Sequence, residues 1–298
     1  MTCTHIELPG SGVRLAADVW TSRGRRSPHR GLVVLLHGGG QTRHSWRRTG
    51  ERLAAAGWVA VTVDLRGHGD SQWAPDGDYG VSTNLTDIRI LVAELKRTRG
   101  DLPVALVGAS LGGKAALLAL GEDPGLAQAL VMVDIALTVE VKGGNRIKQF
   151  MRGAPDGFGS LREAADAIAA YNPHRTQPGS LEGLKKNLRE RDGRWYWHWD
   201  PAMVAPHPQA ADSAVIHRRS RHAARRLTCP VLLVRGRKSD VVSDAGVTEM
   251  RDLIPDLTVT DVRDVGHMVA GDDNDVFSER LLDFLDQAIP PASAKEVG

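Results

Sequence analysis

A serine hydroxyl attacks a carbonyl only when a base takes its proton and a third group holds that base in the right tautomer. Three residues of this chain have the types and spacing for such a relay. Ser110 sits in Gly108-Ala109-Ser110-Leu111-Gly112, Asp240 follows Arg235-Gly236-Arg237-Lys238-Ser239, and His267 lies in Asp264-Val265-Gly266-His267-Met268. The G-x-S-x-G pentad falls between an apolar run, Pro103 to Val107, and an Ala/Leu-rich stretch, Lys114 to Leu120. A strand that turns into a helix within two residues forces its corner toward positive φ, and small neighbours leave room for the close backbone approach. Such a corner lifts the Ser110 hydroxyl clear of the sheet and sets the Leu111 N–H beside it. A fourth element, His37-Gly38-Gly39-Gly40, follows the apolar run Leu32 to Leu36. Glycine N–H groups there can face a developing alkoxide, so Gly39, with Gly40 as a further contributor, joins Leu111 as the expected oxyanion hole. His37 is expected to brace that loop.

These residues need a frame that brings loop ends together. Ile6 and Leu8, then Val13, Leu15, Ala17 and Val19, alternate around Pro9-Gly10-Ser11-Gly12 and predict an opening β-hairpin. The runs Leu32–Leu36, Val59–Val63, Val104–Val107, Ala129–Val133, Val231–Val234 and Leu257–Val262 each have the length of a strand buried on both faces. Leu85, Ile88, Val92 and Leu95 recur at helical spacing, as do Phe277, Leu281 and Phe284. The alternation predicts an α/β fold with a mostly parallel sheet flanked by helices. Its strands would end along one edge, where Ser110, Asp240, His267 and the glycine run all fall.

Almost 100 residues separate Val133 from Val231 without a clear strand. Residues 138–228 are therefore read as a mainly helical cap inserted into a core of residues 1–137 and 229–298. Residues 138–228 carry 16 Lys and Arg against 9 Asp and Glu, which sets them apart from the mildly acidic remainder. The whole chain of 298 residues has a net charge of +2, too mild to argue for nucleic acid. It has no apolar run of the roughly 18 residues that a membrane span needs, and Met1 to Gly10 has no signal-peptide pattern. A soluble, cytoplasmic protein acting on a small molecule is expected, with a homodimer left open. Cys3 and Cys229 give neither a disulfide framework nor metal spacing. The chemistry of the triad calls for no metal or organic cofactor.

Four motifs carry a resemblance to the α/β-hydrolase superfamily: His37-Gly38-Gly39-Gly40-Gln41, Asp64-Leu65-Arg66-Gly67-His68-Gly69-Asp70-Ser71, the pentad at Ser110, and Gly266-His267-Met268. The second is similar to the D-x-R-G-x-G-x-S loop of the branch that includes epoxide hydrolases, cofactor-free haloperoxidases and many esterases. The resemblance implies an eight-stranded sheet with strand two antiparallel, a cap after strand six, and Ser110, Asp240 and His267 as triad. Some relatives place the acid after strand six, which makes Asp134 a rival to Asp240. Epoxide hydrolases and haloalkane dehalogenases carry Asp as nucleophile, so Ser110 argues against both. Hormone-sensitive-lipase-like esterases share the H-G-G-G run but usually have a G-D-S-A-G elbow.

The expected activity is hydrolysis of a small to medium ester, lactone or thioester through an acyl-enzyme. The same triad could serve C–C bond cleavage or peracid formation, and the scaffold could serve ligand binding alone. Trp195, Trp197 and Trp199 would either wall the substrate site or dock the cap onto the sheet. The run Arg218-Arg219-Ser220-Arg221 reads as a solvated helix face. His44, His68, His174, His207, His217 and His222 read as surface or loop residues rather than ligands. Asp272, Asp273 and Asp275 lack the Gly and Glu of a calcium loop and read instead as capping the last helix.

Overall fold

The computed structural model describes residues 1–23, 29–171, 181–205, 213–262 and 275–290, with the side chains of residues 275 and 276 left aside. Strands β1 (Thr2–Pro9) and β2 (Arg14–Thr21) form the expected hairpin. The chain continues through β3 (Leu32–Leu36), a 3-10 turn at Arg43–Trp46, helix α1 (Arg47–Ala55), β4 (Val59–Val63), α2 (Val81–Arg99), β5 (Val104–Ala109), α3 (Leu111–Glu122) and β6 (Ala129–Val133). Next come α4 (Val141–Arg152), α5 (Leu161–Tyr171), a 3-10 turn at Leu181–Asn187, β7 (Leu188–Arg191), β8 (Arg194–Trp197), a turn at Pro201–Val204 and α6 (Ser213–Arg226). Strand β9 (Val231–Gly236), α7 (Asp244–Leu253), β10 (Leu257–Val262) and α8 (Asp275–Ala288) complete the order.

Eight strands form one sheet in the order β1-β2-β4-β3-β5-β6-β9-β10, with β2 antiparallel to both neighbours and the other pairs parallel. The central strands are covered on both faces, which explains why β3, β5, β6 and β9 carry apolar runs; β10, expected to be buried on both faces, is instead an edge strand with Thr258 and Asp261 exposed. Leu32, Val34 and Leu36 pack into a core with α2, α3, α6 and α7, whereas Val33 and Leu35 pack into a second core with α1 and α8. Each such side chain contributes about 1.5–3 kcal/mol through burial. The chain winds from β3 to β4 in one direction and from β5 to β10 in the other. The switch point therefore lies between the C-terminal ends of β3 and β5, where open α/β sheets bind ligands.

Between β6 and β9 the structure holds more than helices. Strands β7 and β8 pair antiparallel across a two-residue loop, Asp192-Gly193, and both loop residues have positive φ (50° and 71°). Asp-Gly is the pair that such a tight hairpin turn selects, so this signal was present in the sequence. The hairpin packs with Phe158, Ala164, Leu184 and Leu188 into a small separate core. Helix α6 lies against α3 instead. Gly121 of α3 meets Ala223 of α6 with no room for a side chain between them. Among the described residues no helix is long and apolar enough to cross a membrane.

Candidate active site

Ser110 occupies the corner between β5 and α3 with φ 45° and ψ −108°, a conformation that L residues avoid. Its surroundings hold it there. The Ser110 N–H donates to the Val133 carbonyl (3.1 Å), its carbonyl accepts from Lys114 N–H (2.9 Å), and Gly112 N–H donates to the His37 carbonyl (3.2 Å). A Cβ on Gly112 would sit 2.6 Å from the Leu36 carbonyl oxygen, and one on Gly113 2.7 Å from Ile135 Cγ2. The elbow glycines are thus required by contact between α3 and the β3 and β6 strand ends.

The glycine loop after β3 lies directly beside the corner, since a Cβ on Gly38 would fall 3.3 Å from Ser110 Cβ. Its three N–H groups have different fates. Gly38 N–H donates to Gln41 Oε1 (2.9 Å) and Gly40 N–H to His68 Nε2 (3.2 Å). Gly39 and Leu111 N–H groups meet no acceptor among the described residues. The Gly39 and Leu111 N–H groups thus stay without an acceptor among the described residues, while Gly40 is committed to bracing.

Three imidazoles support this loop from behind. Leu65 N–H donates to His37 Nε2 (2.9 Å), which leaves Nδ1 as the protonated nitrogen toward the Gly38 carbonyl (2.8 Å). His68 Nδ1 donates to the Arg66 carbonyl (3.0 Å). Gly69 N–H donates to His198 Nδ1 (2.7 Å), and His198 Nε2 points to the Gly40 carbonyl (3.4 Å). The rings form a column, His37 to His68 at 4.8 Å and His68 to His198 at 5.8 Å between centroids. Burial holds the His37 pKa down to about 4 and that of His68 to about 3, with His37 adding to the latter, and keeps His198 well below the ordinary value. All three are neutral at pH 7, which each needs in order to accept one N–H and donate another. His37 braces the loop as its place in the sequence suggested. His68 does lie in a loop, but it is fully buried rather than at the surface. His44 lines the cavity described below, and His174 and His207 lie outside the described residues.

The Asp64 to Ser71 segment is a structural knot. Asp64, fully buried, accepts from Arg43 N–H (2.6 Å), the Arg43 guanidinium and Asp70 N–H (2.9 Å). Arg66 forks onto Asp87 (2.6 and 2.7 Å), and Ser71 Oγ donates to the Asp64 carbonyl (2.6 Å) while accepting from Ala16 N–H (2.8 Å). The motif thus fixes the loop that carries His68 against β2 and α2.

Two carboxylates occupy the sheet edge beyond Ser110. Asp134 follows β6, one strand from Ser110, and is fully buried with φ 47°. It accepts from Gly236 N–H (3.0 Å) and from Ser239 Oγ (2.5 Å). Asp240 lies after β9, two strands from Ser110, and accepts from Arg146 Nη2 of α4 (2.8 Å). Arg146 in turn lies over the Tyr171 ring (5.0 Å). Asp240 thus ties the β9 loop to α4 and α5. His267 lies outside the described residues.

Lys114, one turn into α3, is buried and donates to the Ala136 (2.7 Å) and Leu137 (2.8 Å) carbonyls and to Ser220 Oγ of α6 (3.4 Å). It joins α3 to the segment that follows Asp134. Burial pushes its pKa down to about 7, opposed by Glu249.

Above Ser110 lies a cavity of about 350 Å³. The tryptophans expected to wall it divide the work. Trp197 lines it; Trp199, nearly fully buried, stacks behind Trp197 (4.7 Å, 12°) and donates Nε1 to the Met151 carbonyl (3.3 Å). Trp195, two residues earlier on β8, shares the Trp197 face and packs with it on the small core of Phe158, Ala164, Leu184 and Leu188, outside the cavity lining, and Phe158 pairs with it backbone to backbone (2.7 and 2.9 Å). Phe150 completes the aromatic wall, 5.3 Å from Trp197 and stacked on Tyr171 at 4.3 Å.

The model of the alpha/beta hydrolase fold family matches residues 31–274. The chain belongs to that family. It is 32% identical over 230 residues to esterase Rv0045c of Mycobacterium tuberculosis, covering 73% of this chain and 70% of that protein. It is 30% identical over 263 residues to N-formylmaleamate deformylase of Pseudomonas putida, covering 86% and 89% of the two. Among solved structures, E-2-(acetamidomethylene)succinate hydrolase superposes with a TM-score of 0.80 at 23% identity over 96% of this chain and 100% of that one, a likeness of fold. Family membership accounts for the eight-stranded sheet and for the placement of Ser110 at its switch point.

Proposed function

We propose that the chain is a serine hydrolase that cleaves a small to medium carboxylic ester through an acyl-enzyme. The observation that carries this reading is the strained Ser110 hydroxyl in a cavity beside two backbone N–H groups, Gly39 and Leu111, that have no acceptor among the described residues. The hydroxyl attacks the carbonyl and His267 takes its proton, then returns it to the leaving alcohol. Gly39 and Leu111 hold the oxyanion, each worth about 2.7–4 kcal/mol in the transition state. Water activated by His267 then releases the acid. The name of the mycobacterial relative, an esterase, agrees with this reaction, and the name of the deformylase extends it to a formyl amide.

For the acid that orients His267, Asp134 has the stronger support over Asp240, the residue favoured by sequence. It lies one strand from Ser110, adopts a left-handed conformation and is fully buried. Asp240 is committed to Arg146.

A fluorophosphonate probe should label one serine, mapping to Ser110, and hydrolysis of 4-nitrophenyl butyrate should vanish in Ser110→Ala. Asp134→Asn should lower kcat by about 10³–10⁴-fold, as loss of the tautomer-holding carboxylate does elsewhere, whereas Asp240→Asn should cost about tenfold or less. Labelling at another residue overturns the nucleophile. The opposite order of the two Asn variants returns the acid to Asp240.

A further inference from the structure

The cavity over Ser110 has two unlike walls. Ile147, Phe150, Ile168, Tyr171 and Trp197, all from the segment between β6 and β9, make one side apolar and aromatic. The other side comes from the turn after β3 and the start of α1, and it brings Arg47 and Arg48 to the cavity, faced by Lys186. No Asp or Glu lines it among the described residues. The carboxylates nearby in the fold are engaged elsewhere: Asp64 and Asp70 with Arg43, Asp240 with Arg146, Glu182 with Lys185. Arg47 shares Glu51 (3.1 Å) in an exposed pair, and Lys186 has no acidic partner among the described residues. Arg48 is itself engaged, so the charge left over is that of Lys186, in a concave site with no acid in its lining among the described residues, and such a charge draws anions and orients them.

We propose that the substrate of Ser110 is itself an anion: an ester whose acyl portion ends in a carboxylate, with the charge toward Lys186 and Arg48 and the intervening carbons against Phe150 and Trp197. This rests on the serine-hydrolase reading and names the substrate class for that same site. A cavity of about 350 Å³ is at the small end of ligand pockets, which suits a short diacid half-ester better than a long fatty acyl chain. Lysine suits a carboxylate that must leave after hydrolysis, because it offers a hydrated point charge rather than a planar clamp.

The test compares mono-4-nitrophenyl glutarate with its neutral methyl ester, which differ in one charge but little in length. The wild-type protein should show kcat/KM about tenfold higher for the anion at low salt, the effect of one added charge pair at partly exposed distances. The ratio should fall toward one in 0.5 M NaCl, and below one in Lys186→Glu/Arg48→Glu. Arg99→Glu, an exposed change of the same sign at the end of α2, should keep the wild-type ratio. A ratio at or below one in the wild type, or one indifferent to the double charge reversal, overturns the anionic substrate while leaving the hydrolase intact. No turnover of either ester, together with no fluorophosphonate labelling of Ser110, overturns the hydrolase reading and this inference with it.

Discussion

Replacing Lys114 with methionine separates two opposing effects that the fold places on one ammonium group. Its Nζ reaches three acceptors, the Ala136 and Leu137 carbonyls and Ser220 Oγ, so the side chain is fully bonded. Burial nevertheless pushes its pKa from an ordinary 10.5 to about 7. Between those values the unfolded chain holds a proton that the folded chain lacks, so unfolding takes up a proton. The contribution is therefore fully present above pH 10.5 and is lost as pH falls toward 7, at up to about 1.4 kcal/mol per pH unit. Half protonation of the folded state at pH 7 trims the change between pH 9 and pH 7 to about 2 kcal/mol. Methionine cannot titrate, so the stability difference between wild type and Lys114→Met should move by about 2 kcal/mol across that interval, with the wild type gaining at pH 9. At pH 9 the variant should be the less stable by about 1–3 kcal/mol, since two buried carbonyls lose their donor. Urea unfolding of both proteins at pH 7 and pH 9, at constant ionic strength, measures the double difference. Contributions from other groups, such as the buried Cys229 thiol that burial raises to about 11, cancel between the two proteins. A difference that stays within about 0.5 kcal/mol at both pH values refutes the argument, because the three acceptors would then fully offset the burial of the charge.

The imidazole column predicts acid sensitivity: with folded pKa values near 4 for His37 and 3 for His68, their contribution is present above about pH 6.5 and lost as pH falls. Together they should cost about 5 kcal/mol between pH 7 and pH 4.5 in urea unfolding, a loss that a protein with two freely titrating surface histidines at these positions would not show. Gly112→Ala would drive a methyl group to within 2.8 Å of the Leu36 and His37 carbonyl oxygens, so about 3 kcal/mol of stability and most of the ester turnover should be lost, and an unchanged Tm with full activity would contradict the packing described.

Much of the architecture was legible in the chain because the information is local. Leu32–Leu36, Val59–Val63 and Ala129–Val133 are apolar runs, broken only by Thr62, whose ends coincide with the strands, since a sheet covered on both faces favours apolar side chains along its length. Ser110 was legible because a strand-to-helix corner demands glycines on both sides of it, and the sequence supplies Gly108, Gly112 and Gly113. The β7–β8 hairpin was equally local, marked by Asp192-Gly193, but its short strands lie in a region whose flanking segments read as helix.

The tertiary structure decided how polar groups were distributed, because a hydrogen bond depends on which atoms come within about 3 Å and not on spacing along the chain. Gly39 and Gly40 are neighbours of the same type, yet His68, 28 residues from Gly40, takes the Gly40 N–H, while that of Gly39 meets no acceptor among the described residues. Asp134 and Asp240 were both eligible by sequence. Ser239, 105 residues from Asp134, and Arg146, 94 residues from Asp240, draw the two carboxylates into different surroundings. The strand-to-helix corner at Ser110 and the sheet around it follow from local sterics and burial; the partners of each buried donor and acceptor were set only when distant segments met.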